Sequence, residues 1–579
     1  MSRALKVIPY GKISLASNVN EGILKRVKKL IVHFRNEQAI ANVVTQANRN
    51  GAITIPSIYS NATASCSFSI VASKKNFLKF VDPNGEEFYV VQNPLYFLYG
   101  IYLPKENIIF STVSSQVQTE KMLQHFWVAM RRYADVIGTE RNRNFLGIIN
   151  AYPRPYHYFR DKLTILLGYE RVLKGVPILT LEKEAFLSAD VVPGAVEKVV
   201  TGDLNDYLQN QKGFAIDLGG SFNSDHRQKM LSATQKMRTY SVAKYMEDAE
   251  ILKSIKGGGP IIWFGICAEK RSWINQNEIL AEIMEKTSDL YPDVVYVFDG
   301  MTAPVGVDEN EFKNTTALRE VEKLKDILGR VHTRAPIRYL SLVGVHADKK
   351  ICVADKIDFF LTSALTDSIW VAHFNRKRGI AYLSNAANIQ EHNHPKTYII
   401  PKKYVTDSAL NASNWSTIDY SIDSNFVCNS FLAGLEQWVR QKQLGNQLYS
   451  FFPTKDKATV ISTDCGGQNI EINLEKGESL EFSIGDNYAN FNRSAKALPC
   501  LSRNYEFILD IEATEGVDAN LLVVGYSAGN KADSYSCDTR RTTIQFNDRV
   551  DRFRVFMRLA GKGNVNFFGY SAQPISGLD

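Results

Sequence analysis

Residues 257–300 read GGGPIIWFGICAEKRSWINQNEILAEIMEKTSDLYPDVVYVFDG, and their pattern decides the fold class. Three glycines free the backbone and a proline stops any preceding helix, so a new folding unit is expected to begin here. PIIWFGI is a short apolar run bounded by turn residues, the mark of a buried strand. NQNEILAEIMEKTSDL repeats apolar residues at helical spacing, and DVVYVFDG is a second buried run. Strand, helix and strand in succession predict a parallel sheet covered by helices.

The alternation continues on both sides. Downstream, residues 312–331 predict a helix, IRYLSLVGV (337–345) and DFFLTS (358–363) predict strands, and residues 427–443 predict a closing helix. Upstream, FYVVQ (88–92), NFLGIINAY (144–152), VPILTL (176–181) and GFAIDLGG (213–220) read as strands between helical stretches. From about residue 455 the apolar period becomes two, with Gly, Asn and Asp at the turns, which predicts a β-sandwich. The expected organisation is an α/β domain over 1–256, a second over 257–454, and an all-β module over 455–579 for carbohydrate binding or assembly.

Composition narrows the class. Of 579 residues, 45% are hydrophobic and 22% charged, values that exclude long disordered stretches. No apolar run reaches the length of a membrane-spanning helix. The N-terminal MSRALKVIPYGKISL lacks the apolar core of a signal peptide, so a cytoplasmic location is expected. A net charge of +7 attracts phosphate weakly and calls for no nucleic-acid partner. The denser stretch Lys25, Arg26, Lys28, Lys29 reads first as a solvated helix face and second as a peripheral contact with the inner membrane or an acceptor. Seven cysteines, none at C-x-x-C spacing, suggest neither a disulfide framework nor a zinc site.

Two patterns carry chemistry in the second α/β region. Gly265 ends the first strand, and Lys270, Arg271 and Trp273 follow before the next helix. Cations at the C-terminal edge of a parallel sheet, beside helix amides, suit a diphosphate. The run Thr362-Ser363-Ala364-Leu365-Thr366-Asp367-Ser368 is a hydroxyl-rich turn that suits phosphate as well, although capping by Thr366 or Asp367 explains part of it. In the first region, Tyr156-His157-Tyr158-Phe159-Arg160-Asp161 and Asp217-Leu218-Gly219-Gly220 each follow a predicted strand. His157, Asp161 and Asp217 are the candidate bases there, and each is equally readable as packing or turn structure. In the sandwich, Tyr488, Tyr526 and Tyr570 are candidate sugar-stacking residues.

Residues 260–385 resemble the nucleotide-sugar domain of GT-B glycosyltransferases, the heptosyltransferase type in particular. Lys270, Arg271 and Trp273 match that family's loop after the first strand of this domain. Asp367, Ser368 and His373 approximate its Asp-(Ser/Thr)-Gly-x-x-His turn, with Ile369 in place of the glycine and His373 one residue late. The resemblance implies two Rossmann-like domains ahead of the β-sandwich. It also implies a nucleotide-sugar donor held by Gly265, Lys270, Arg271, Trp273, Asp299, Thr362, Ser363, Thr366, Asp367, Ser368 and His373. The acceptor would be a surface glycan or lipid-linked glycan of the capsule, O-antigen or lipopolysaccharide kind. The sequence holds no D-x-D motif, and GT-B enzymes need no metal, so no cofactor is expected. The alternative is a non-catalytic glycan-binding or assembly protein on a degenerate transferase fold, which Ile369 favours.

Overall fold

The computed structural model describes residues 5–15, 19–112, 115–134, 144–220, 226–245, 253–268, 272–388, 394–408, 418–444, 448–450, 458–462, 468–475, 478–484, 497–537 and 541–575. The chain forms two compact units. Unit 1 is Met1–Tyr240 with Thr302–Phe312, and unit 2 is Ser241–Met301 with Lys313–Asp579.

Unit 1 holds seven strands in one sheet: β1 (Lys6–Pro9), β2 (Thr54–Pro56), β3 (Thr63–Ala72), β4 (Lys75–Val81), β5 (Glu87–Gln92), β6 (Gly100–Leu103) and β7 (Ile108–Ser111). Their order is β1-β7-β6-β5-β4-β3-β2. Every pair from β2 to β7 is antiparallel, and only β1 and β7 run parallel. The first half is therefore not a Rossmann-like domain throughout, as the resemblance implied. The reason is local: β3 and β4 are joined by two residues, and so short a loop permits only antiparallel pairing. The helix Gln116–Arg132 covers this sheet, with Phe126 stacked 4.4 Å from Phe77 and edge-on to Tyr89.

A second sheet in unit 1 is fully parallel. Its strands are β8 (Asn144–Asn150), β9 (Pro177–Leu181), β10 (Val196–Val200) and β11 (Gly213–Ile216), in the order β10-β9-β8-β11.

Unit 2 opens with six parallel strands: β12 (Ile261–Gly265), β13 (Val295–Asp299), β14 (Arg338–Ser341), β15 (Phe359–Ser363), β16 (Gly379–Tyr382) and β17 (Thr397–Ile399). Their order, β14-β13-β12-β15-β16-β17, is that of a doubly wound sheet. Helices Gln276–Leu290 and Thr315–Arg330 bury Ile279, Leu280, Ile283, Leu324 and Ile327 in the same core as Phe264, Tyr296 and Phe298. The two units divide at Tyr240/Ser241. Gly257 and Gly259 serve a close backbone approach: a Cβ on Gly259 would lie 2.6 Å from the Asp293 carbonyl carbon. The glycines thus allow close packing at the start of β12.

The C-terminal strands form an antiparallel two-layered β-sandwich. Its centre is Arg552–Pro574, 23 residues long. The first half of this strand pairs with Ser479–Ile484 and Val517–Ser527, and the second half with Gln468–Asn473 and Asn504–Ala513. The strand changes layer at Gly561 and Gly563, whose φ values are +95° and +145°. The alternating runs at 552–561 and 565–571 therefore belong to one bent strand. Tyr526 and Tyr570 lie in the core rather than on the surface, and Tyr488 lies outside the described residues. The sandwich belongs to unit 2: Arg376 pairs with Asp510 and Glu512, and Lys396 Nζ lies 3.3 Å from Asp510. Among the described residues no helix is long and apolar enough to cross a membrane.

Candidate functional site

Parallel sheets gather loop residues at the C-terminal ends of their strands. In unit 1 this edge carries the three predicted bases. His157 sits in a short helical turn after β8, its side chain 41% exposed, with Nδ1 2.9 Å from Asp161 Oδ2. A carboxylate only accepts, so Nδ1 carries the proton and Nε2 is the basic nitrogen. The rings of Tyr152 and Tyr156 lie 5.3 and 5.5 Å from that of His157. Asp217, after β11, takes a hydrogen bond of 2.5 Å from Lys162 Nζ, and Lys162 is fully buried. Lys75 lies within electrostatic reach of Asp217, and its own proton affinity is lowered by burial. Burial pushes the Glu184 carboxyl up, Lys74 pulls it down, and Asp203 pushes it up again. The Glu184 carbonyl accepts from the Tyr152 amide at 2.8 Å.

In unit 2 the residues expected to hold a donor fall along one sheet edge, mostly inside the fold. Gly265 closes β12 against Thr362 of β15: a Cβ at 265 would lie 2.1 Å from Thr362 Oγ1. Thr362 has no exposed surface and Ser363 is 7% exposed. Trp273 is buried, its ring centre 4.5 Å from that of Tyr382, and its Nε1 donates to Asn275 Oδ1. It packs in the core of the unit. Asp299 is 1% exposed and receives a 2.6 Å hydrogen bond from Lys350 Nζ, which also donates to the carbonyls of Gly300 and Met301. Burial raises the Asp299 proton affinity, and Lys350 opposes it. Ser368 Oγ donates to the Leu365 carbonyl. Asp367 is partly exposed, and its charge reaches Glu320 and Tyr382. His373 ends the next turn, partly exposed, edge-on to Phe374. Lys270, Arg271 and the side chain of Thr366 lie outside the described residues.

The structure adds residues that the motifs do not reveal. Glu320 accepts from the Met301 amide at 2.6 Å, and burial pushes its carboxyl up to about 8. Lys323 donates to the Cys267 carbonyl, and burial lowers its proton affinity. A signal for some of these exists in the sequence. Glu320 occupies the apolar stripe of its helix with Ala317, Leu324 and Ile327, and Lys350 does the same beside Ala347, Ile351 and Ala354. A charge at such a position must find a buried partner.

No family model matches the sequence, and no curated protein matches it. Among solved structures it is similar to E. coli ADP-heptose lipopolysaccharide heptosyltransferase II, at 10% identity over 51% of this chain and 99% of that one, with a TM-score of 0.31. It is also similar to a chain of the accessory secretory protein 1, 2 and 3 structure from Streptococcus pneumoniae, at 16% identity over 20% of this chain and 85% of that one, TM-score 0.17. A chain of the glycosylation-associated Gap123 complex from Streptococcus agalactiae gives 10% identity over 23% of this chain and 46% of that one, TM-score 0.18. At such low TM-scores none of these decides the fold or the activity.

Proposed function

We propose that this chain is a non-catalytic glycan-binding or assembly protein built on a transferase-like α/β scaffold. One observation carries the reading: the donor-side residues of unit 2 that are described are mostly spent on internal structure. Asp299 is sealed by Lys350, Trp273 is core, and Thr362 fills the space above Gly265. Ile369 stands where the heptosyltransferase turn has a glycine, and its side chain is packed inside the fold at 3% exposure. Asp299, Trp273 and Thr362 thus present almost no side-chain surface to a diphosphate. The edge of the parallel sheet in unit 1, by contrast, offers partly exposed Tyr152, Tyr156 and His157 beside charged groups, a surface suited to a sugar ring.

Calorimetric titration of the full chain with UDP-, GDP-, CMP- and ADP-sugars tests the reading, alongside chromatography for donor hydrolysis. No saturable donor binding and no hydrolysis above background are expected. Donor hydrolysis that Lys270→Ala or Arg271→Ala abolishes would overturn it in favour of the transferase.

The transferase reading keeps one specific support, the His157–Asp161 pair, in which a carboxylate orients the imidazole as in a general base. If turnover is found, His157→Ala should lower it about 10²–10⁴-fold while nucleotide affinity and melting temperature stay as in the wild type.

A further inference from the structure

The loop between β3 and β4 is two residues long, Ser73 and Lys74, and both are left-handed, with φ of +48° and +60°. Such a turn suits the twist of a hairpin, but it favours Asn-Gly or Gly-Gly because side chains resist positive φ. Two consecutive non-glycine residues in this region store strain, and strain kept in a fold is a reason to look for function. Lys74 is exposed, and its ammonium lies 5.7 Å from the centre of the Tyr152 ring. The strained turn therefore presents a cation beside the aromatic surface at the end of β8.

The charge around Tyr152 is unbalanced. Asp217 is already matched by the buried Lys162. Lys74, Lys75, Arg154 and Arg160 then face Asp161, Glu184 and Asp203, an excess of one positive charge. Tyr152 and His157 supply flat faces, and the oriented His157 supplies a polar edge. A neutral sugar needs the rings and hydrogen bonds, and only an acidic one uses the cation as well.

We infer that the C-terminal edge of the parallel sheet in unit 1 binds a sugar carrying a carboxylate or phosphate, with Lys74 as the residue that selects for the negative charge. The sugar ring rests on the glycan-binding reading above, whereas the anion rests on Lys74 alone.

The test is calorimetry of the full chain with glucuronic acid, glucose 6-phosphate and glucose. The wild type is expected to bind at least one acidic sugar about tenfold or more tightly than glucose, the size of a charge-assisted contact. Lys74→Arg should keep that preference. Lys74→Gly should abolish it while raising the melting temperature, because glycine relieves the left-handed turn. A wild type that binds glucose and the acidic sugars alike, or binds none of them, overturns the inference. So does a Lys74→Gly variant that keeps the preference. Glucose binding without discrimination would leave the glycan-binding reading standing and remove only the selection by Lys74.

Discussion

Lys162 has no exposed side-chain surface, and Asp217 is the carboxylate that neutralises it. A buried ammonium is stable only with such a partner, so the fold of unit 1 depends on a carboxylate that sequence presents as a candidate base. Removing one member of a buried pair typically costs about 3–5 kcal/mol, because the other is left charged and unsolvated. Asp217→Ala should therefore lower the unfolding free energy of unit 1 by about that amount in urea titration. Replacing both residues, as in Lys162→Met with Asp217→Leu, should recover most of it. If Asp217→Ala is as stable as the wild type, the pair is not structural and Asp217 returns as a candidate base.

At the scale of elements, the helix Thr315–Arg330 shows how an amphipathic pattern hides a titrating group. Glu320 stands in the apolar stripe and caps the Met301 amide at the end of β13. Burial raises its carboxyl to about 8, from an ordinary 4.5; the Met301 N–H opposes the rise, Asp367 adds to it, Lys350 opposes it and Asp299 adds to it. The folded state then binds more protons than the unfolded state between those two values. Stability from this group is thus complete below about pH 4.5 and is lost as pH rises toward about 8. The fall in melting temperature from pH 5 to pH 8 should be smaller in Glu320→Gln than in the wild type. Parallel melting curves for the two proteins would show that Glu320 titrates normally. The element also shows where sequence pattern misleads: a stripe is read from its apolar members, and its one acid is easily taken for a surface residue.

At the scale of the whole molecule, the β-sandwich is part of unit 2. Asp510 is 1% exposed on its side chain and holds both Arg376 and Lys396. Burial alone would raise its carboxyl, but these two cations pull it below the usual range. Gln573, near the C-terminal end of the long strand, donates to the Ser430 carbonyl, and a Cβ on Gly434 would lie 2.4 Å from its side-chain oxygen. A chain ending at residue 454 loses all of these partners, leaving Arg376 and Lys396 without their carboxylate and Arg378 without the Tyr570 carbonyl. It should be insoluble or elute as aggregate in size-exclusion chromatography, whereas the full chain elutes as a discrete species. A soluble, cooperatively melting 1–454 fragment would contradict this.

The apolar runs of the chain determine by themselves that it is α/β in its middle and all-β at its end, because strand and helix periods are local properties of ten or fewer residues. The succession PIIWFGI, helix, DVVYVFDG leads directly to the parallel order of unit 2. The antiparallel sheet of unit 1 is less legible, since its pairing is set by loop length and register rather than by composition. The candidate site is least legible of all. His157 and Asp161 are one helical turn apart, so their pairing can be read from spacing. The pairs Lys162–Asp217 and Lys350–Asp299 join residues 55 and 51 positions apart. Which carboxylate meets a buried lysine and which faces solvent depends on how separate elements pack, and a charge becomes structural or functional only through the burial that packing imposes.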